Sequence, residues 1–188
     1  TEESCNSGSE RIASVAHPLM ALAWGEAAPV AEETAVINVQ GDQPFIDPAV
    51  IDAMAEEFQS QAPVPAVVTP VYGLKPDSVH NPNVVKTLLA HDGRALYFSR
   101  SAIPHVRDVA EADWHQHTTY WGHVGMYGFR GDVLAAWDQL PASPLEDLER
   151  LEQLRLIEAG LTIATFPVQG TSLSVDTAEQ LEQARAMV

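Results

Sequence analysis

The chain has 188 residues, 46% of them apolar and 19% charged, enough to bury a core and unlike a disordered, collagenous or coiled-coil composition. Acids outnumber bases by 26 to 10, a formal charge of −16, so a phosphate backbone is repelled and a general nucleic-acid role is excluded. No apolar run approaches the ~20 residues of a spanning helix, and a lone cysteine, Cys5, with the polar opening TEESCNSGSER fits a soluble cytoplasmic protein with no membrane contact.

In chain order, SERIASVAHPL reads as a helix led by an N-cap serine. TAVINVQ (34–40) reads as a strand buried on both faces, ending in the turn GDQP. DPAVIDAMAEEF is a helix with Pro48 in its first turn. PAVVTPVYG, VVKTLLA and ALYFSRS (95–101) read as strands, the last after a His-Asp-Gly turn, and HVGMYGFR (123–130) as one more. Ser143, Pro144 and Glu146 form the signature of a capping box, and the helix they start is predicted to run unbroken to a C′ glycine at Gly160. LTIATFPV is then a strand and DTAEQLEQARAMV a closing helix. The alternation predicts an α/β fold over residues 1–188 as a single domain: a mostly parallel sheet with helices on both faces and an antiparallel excursion between 65 and 101. No Gly-rich phosphate loop is present, so a phosphate site is either built differently or lies upstream of Thr1.

Asp42 sits just past a strand's carboxyl end, where open α/β sheets bind ligands, and a carboxylate there suits a hard cation such as Mg²⁺. The plainer reading is an ordinary Gly-Asp turn. Asp176 in LSVDTAEQ is either a second such ligand or the N-cap of the last helix, with Glu179 at N3. Arg100 closes an apolar strand in a chain with few bases, which suits a bidentate hold on a carboxylate or phosphate, or else an ion pair with a neighbouring acid. His105, His115, His117 and His123 match no zinc spacing, and His115 and His117 read as an exposed loop with Trp114 and Trp121 set for a subunit contact. Glu146, Asp147, Glu149 and Arg150 read as a solvated helix face, as do Glu152 and Gln153 unless a site lies there.

Taken together and in order, VINVQGDQPFI, NPNVVK, ALYFSRSAIP, HVGMYGFR, SPLEDLERLEQLRLIEAG and SLSVDTAEQLEQAR resemble the 3-deoxy-manno-octulosonate (Kdo) cytidylyltransferase family, the CMP-Kdo synthetases of lipopolysaccharide biosynthesis. The resemblance spans nearly the whole chain. It implies a Rossmann-like nucleotide-diphospho-sugar transferase fold, a cytoplasmic homodimer, and Mg²⁺-dependent attack of the Kdo 2-hydroxyl on the α-phosphorus of CTP with loss of pyrophosphate. It casts Asp42 and Asp176 as Mg²⁺ ligands, and Arg100, His123, Tyr127, Glu152 and Gln153 as the Kdo pocket. Gln40 then stands between nucleotide and sugar, and Ser7, Gly8, Ser9 and Arg11 lie near the cytidine. The family's opening PARxxSxRLPxKPL loop, whose basic residues hold the triphosphate, is absent, so the chain reads as an N-terminally truncated and, alone, inactive enzyme. The competing readings are a sialic-acid cytidylyltransferase and a non-catalytic sugar-acid or nucleotide-binding remnant.

Overall fold

The computed structural model describes residue 5 and residues 7–24, 31–169, 175 and 177–187. Helix α1 (Gly8–Trp24) starts at Ser7, whose Oγ accepts the main-chain N–H of Glu10 at 3.1 Å as an N-cap should. It is followed by β1 (Ala35–Asn38), α2 (Pro48–Ser60), β2 (Val67–Gly73), β3 (Lys86–Leu89), β4 (Ala95–Ser99), β5 (Trp121–His123) and β6 (Tyr127–Arg130). Then come α3 (Gly131–Ala135), α4 (Pro144–Glu149), α5 (Gln153–Glu158), β7 (Ile163–Pro167) and α6 (Ala178–Arg185).

The α/β fold class expected from the alternation holds, but the expectation of a mostly parallel sheet is corrected. Of the strand pairings among the described residues, only β2 with β7 is parallel. β1 pairs β6, β6 and β5 pair β2, and β5 and β4 pair β3, all antiparallel. The reason lies in the connections: β3 and β4 are joined by a short turn, which only an antiparallel pair allows. The helical crossover after β1 does deliver β2 parallel to β1, with β6 inserted between them.

HVGMYGFR does not form one strand. The Pro70 carbonyl accepts the Val124 N–H at 3.2 Å, but the proline nitrogen has no hydrogen to return, so the ladder breaks opposite residues 124–126. On the other flank β1 ends opposite Tyr127 while β3 begins opposite Gly122. The three-residue gap between β5 and β6 therefore faces a notch in the sheet.

The helix expected from Ser143 to Gly160 is likewise two helices. Ser143 Oγ does accept the Glu146 N–H at 3.0 Å, but the Glu146 side chain pairs with Arg155 at 2.6 Å instead of closing the box. Arg150 adopts φ 55°, a left-handed conformation that costs a non-glycine residue ~1–2 kcal/mol and ends α4. Gly160 is the C′ residue as expected: its N–H meets Ile157 O and that of Leu161 meets Leu156 O, both at 2.9 Å, the paired bonds of a Schellman motif.

One core lies around Phe98, Phe129, Trp137 and Leu154, and a second, around Met54, Phe58 and Val68, is where α2 packs on the sheet. That contact requires Gly128, because a Cβ there would stand 2.7 Å from Phe58 Cε2. Trp114, expected at an exposed contact, is buried with Val79 and Tyr120, its ring stacked edge-on against His105. A large apolar ring is worth more inside this small cluster than in water. No helix among the described residues is long and apolar enough to cross a membrane.

Candidate active site

The notch is lined by side chains of the turn after β1 and of β2. The GDQP turn after β1 forms as expected, closed by Gln43 N–H to Gln40 O at 3.3 Å, with Gly41 and Asp42 at its centre. From this turn Gln43 Nε2 donates to Val124 O at 3.0 Å and Gln40 Nε2 to Gly125 O at 2.7 Å. From β2, Thr69 Oγ1 donates to Met126 O at 2.7 Å. Three successive carbonyls left without ladder partners are thus each satisfied by a side chain, as buried carbonyls must be. Gln40, expected between the two substrates, anchors the loop by its amide nitrogen. Gln43 and Thr69, which sequence reasoning passed over, do the same work; the only signal for Thr69 was a polar group inside an otherwise apolar stretch.

Asp42 carries both readings made of it. It sits in the turn, and its carbonyl accepts the Val175 N–H at 2.8 Å. Its Oδ1 is nevertheless buried without a hydrogen-bond partner among the described residues. Asp176 lies outside the described residues. The capping role offered for it belongs instead to Thr177, whose Oγ1 accepts the Gln180 N–H at 3.2 Å while Gln180 Oε1 accepts the Thr177 N–H at 2.9 Å. Among the described residues, no group of three or more His, Cys, Asp or Glu is arranged to hold a metal ion.

His123, Tyr127, Gln153 and Glu152, expected at a sugar pocket, lie along the same face. His123, at the end of β5, contacts Thr69 Oγ1 through Nε2 at 3.0 Å and packs against Phe98 and Tyr127. Burial pushes its pKa down to about 3, so the ring is neutral at physiological pH. Tyr127 donates its hydroxyl to Gln153 Oε1 at 2.9 Å. Burial, and secondarily the charge of Glu152, holds that phenol well above its ordinary pKa. Gln153 Nε2 is buried with no hydrogen-bond partner among the described residues. Glu152, at the N-cap of α5, accepts Ser9 Oγ–H at 3.0 Å and Ser9 N–H at 3.4 Å, tying the first turn of α1 to the pocket. A Cβ on Gly8 would lie 3.7 Å from Asn38 Nδ2, so Ser7, Gly8 and Ser9 run beside the end of β1. Arg11 follows on α1, its N–H on Ser7 O at 3.1 Å. Glu152 and Gln153 are therefore not a solvated face.

Arg100 stands one element away, at the end of β4. Among the described residues, no acidic side chain takes its guanidinium. Nε donates to Glu149 O at 2.8 Å, Nη1 to Pro82 O at 3.2 Å and Nη2 to Arg150 O at 3.4 Å. Glu149, read as solvated, accepts Ser99 Oγ–H at 2.6 Å and Arg100 N–H at 2.9 Å. Lys86, one of only two lysines, is fully buried and donates to the carbonyls of Asn81 (2.9 Å), Val84 (2.7 Å) and Arg100. Burial lowers its pKa, opposed by Glu149. Three of the five guanidinium N–H groups of Arg100 are used, which leaves one on each terminal nitrogen for a carboxylate.

A family profile described as Cytidylyltransferase matches residues 1–163. The chain is 44% identical over 154 residues to the 3-deoxy-manno-octulosonate cytidylyltransferase of Chlorobaculum tepidum, covering 80% of this chain and 60% of that protein. It is 37% identical over 189 residues to the enzyme of the same name from Elusimicrobium minutum, covering all of this chain and 71% of that one. The chain thus spans 60% of the length of the Chlorobaculum relative. Among solved structures it resembles CMP:2-keto-3-deoxy-manno-octonic acid synthetase complexed with CTP, at a TM-score of 0.85 and 36% identity over 100% of this chain and 70% of that one. A glucose-1-phosphate thymidylyltransferase of Bacillus anthracis shares the fold alone, at a TM-score of 0.58 and 13% identity over 99% of this chain and 62% of that one.

Proposed function

Because the chain belongs to the 3-deoxy-manno-octulosonate cytidylyltransferase family, we propose that it activates Kdo with CTP, giving CMP-Kdo and pyrophosphate for lipopolysaccharide assembly. The observation that carries this reading is the notch between β1 and β3, where Gln40, Asp42, His123, Tyr127, Gln153 and, through Ser9, Glu152 line one face. In the reaction the Kdo 2-hydroxyl oxygen forms a bond to the α-phosphorus. The bond from that phosphorus to the bridging oxygen breaks, and pyrophosphate leaves with the electron pair. The hydroxyl proton passes to solvent, for neither ring in the pocket suits a general base: His123 is too weakly basic and Tyr127 holds its proton.

What these residues supply is position, which dominates phosphoryl transfer. Ser7, Gly8, Ser9 and Arg11 hold the nucleoside end beside β1. The two unused N–H groups of Arg100 take the Kdo carboxylate. His123, Gln153 and Gln40 offer neutral hydrogen-bonding groups to the sugar hydroxyls, with no added charge in an already acidic protein.

The residues present fit a Mg²⁺ ion. Asp42 Oδ1 is a buried carboxyl oxygen with no hydrogen-bond partner among the described residues, a hard donor of the kind this cation takes. Asp42 would hold the ion, with Asp176, one residue beyond the Val175 bonded to Asp42, as the second carboxylate. When bound, the ion offsets the negative charge of the triphosphate. The same reading carries a cytoplasmic homodimer.

Lys86 and Arg100 spend most of their donors on main-chain carbonyls, so these two cations are poorly placed to hold a triphosphate. The 188-residue chain is expected to bind CTP weakly and to turn over only when joined to a basic phosphate-holding segment. The test is pyrophosphate release from CTP and Kdo, with sialic acid as control, in the chain alone and joined to that segment of a relative. Release with Kdo from the joined chain supports the reading; release with sialic acid instead, or from neither chain, overturns it.

A further inference from the structure

Thr69 is a hydroxyl in the middle of a buried strand, with no exposed surface, where valine would have the same shape and no polar group to satisfy. Its Oγ1 has two neighbours: Met126 O at 2.7 Å and His123 Nε2 at 3.0 Å. A hydroxyl has one hydrogen, and a main-chain carbonyl can only accept. The hydrogen must therefore point at Met126, since two oxygens 2.7 Å apart with no proton between them would repel. Thr69 is then left to His123 only as an acceptor, and the ring can meet it only by donating from Nε2.

We propose that Thr69 is a positioning residue that locks His123 as its Nε2–H tautomer, so that Nδ1 is kept as an acceptor for a hydroxyl of the bound sugar acid. The assignment of the ligand rests on the function proposed above; the tautomer does not. A neutral ring has one donor and one acceptor nitrogen, and the neutral state holds here at physiological pH. The relay runs from the Met126 carbonyl, in the gap that Pro70 opens, through Thr69 to the imidazole. The break in the strand thereby sets which nitrogen faces the ligand. A polyhydroxy acid suits such a site, because an acceptor placed for a hydroxyl discriminates strongly against a ligand lacking it.

The test uses the whole chain, joined to the phosphate-holding segment for the kinetics, and compares it with Thr69→Val and Thr69→Ser. Long-range ¹H–¹⁵N spectra of the imidazole, recorded without substrate, distinguish the tautomers directly. Expected are a single Nε2–H form in the parent and in Thr69→Ser, and growth of the Nδ1–H form in Thr69→Val. Added Kdo should shift the Nδ1 resonance of the parent. Thr69→Val should raise the KM for Kdo about tenfold, leaving kcat and the KM for CTP within about twofold. An Nδ1–H ring in the parent, or an unchanged tautomer in Thr69→Val, overturns the relay whatever the chain catalyses. A changed tautomer with an unchanged KM for Kdo overturns the acceptor role. No shift of Nδ1 with Kdo overturns the acceptor role alone; the functional reading is judged by pyrophosphate release and the relay by its own spectrum.

Discussion

Ser9 and Glu152, 143 residues apart, share two hydrogen bonds, from the Ser9 hydroxyl at 3.0 Å and its main-chain N–H at 3.4 Å. One residue opens α1 beside the proposed nucleoside end; the other opens α5 beside the proposed sugar pocket. If the two subsites communicate through this pair, removing either partner disturbs both substrates. Ser9→Ala and Glu152→Gln should each weaken Kdo binding in the presence of CTP. The double variant should fall short of their sum by about 1 kcal/mol, the size of one such coupling. Additive losses, read by titration calorimetry, would show the pair to be a bystander.

Arg100→Lys separates anchoring from recognition. A lysine reaches one or two of the carbonyls that the guanidinium satisfies and loses the fork that grips a carboxylate. The KM for Kdo should rise about tenfold while that for CTP stays within about threefold. Arg100→Met, which leaves carbonyls unpaired, should also lower unfolding stability by about 1–3 kcal/mol. Equal effects of Arg100→Lys on both substrates would count against the carboxylate role.

His123 makes a pH signature. Its folded pKa of about 3 lies below the ~6.5 of an unfolded histidine. Between those values the unfolded chain takes up a proton that the folded chain refuses. Stability therefore rises with pH through this window and is lost as pH falls below ~6.5, by at most about 1.4 kcal/mol per pH unit for one proton. Urea unfolding at about pH 7 and pH 5 should show a larger drop for the parent than for His123→Gln. Identical slopes would mean that the ring is not held neutral.

Gly128→Ala should cost about 1–3 kcal/mol by overpacking, because its Cβ meets Phe58 Cε2 at 2.7 Å and Met54 Cε at 3.3 Å. A denaturant midpoint equal to that of the parent would mean that α2 can shift away freely.

The pattern of apolar runs located nearly every strand and helix, because burial imposes its period whatever the topology. It could not give their directions. Parallel and antiparallel strands bury the same residues, and what decides is the length of each connection and the placement of β6 between β1 and β2. The two broken elements were hidden for a related reason. HVGMYGFR is interrupted by a proline on the neighbouring strand, and the 143–160 helix by a conformation of Arg150 that its carbonyl's contact with Arg100 accompanies. Neither partner is local in sequence. In the same way Asp42, Glu152 and Gln153 were visible as candidates through their motifs, whereas Gln43, Thr69 and Lys86 matter through carbonyls, which carry no sequence signal at all.

Asp42 offers the sharpest opposition between folding and function. Its Oδ1 is buried with no partner to offset the loss of water, an arrangement that costs stability in the chain by itself. Asp42→Asn removes the charge but keeps the shape and the Val175 N–H bond to the residue's carbonyl. Stability without metal should therefore be unchanged or higher by about 1 kcal/mol. Affinity for a divalent ion should move the other way. Losing even an outer partner of a metal ligand typically weakens binding roughly ten- to a hundredfold, and losing the ligand itself should do no less. Water-proton relaxation with Mn²⁺ in place of Mg²⁺, in the presence of CTP, reads that affinity directly. A variant that is less stable and binds Mn²⁺ as well as the parent would show Asp42 to be a turn residue and nothing more.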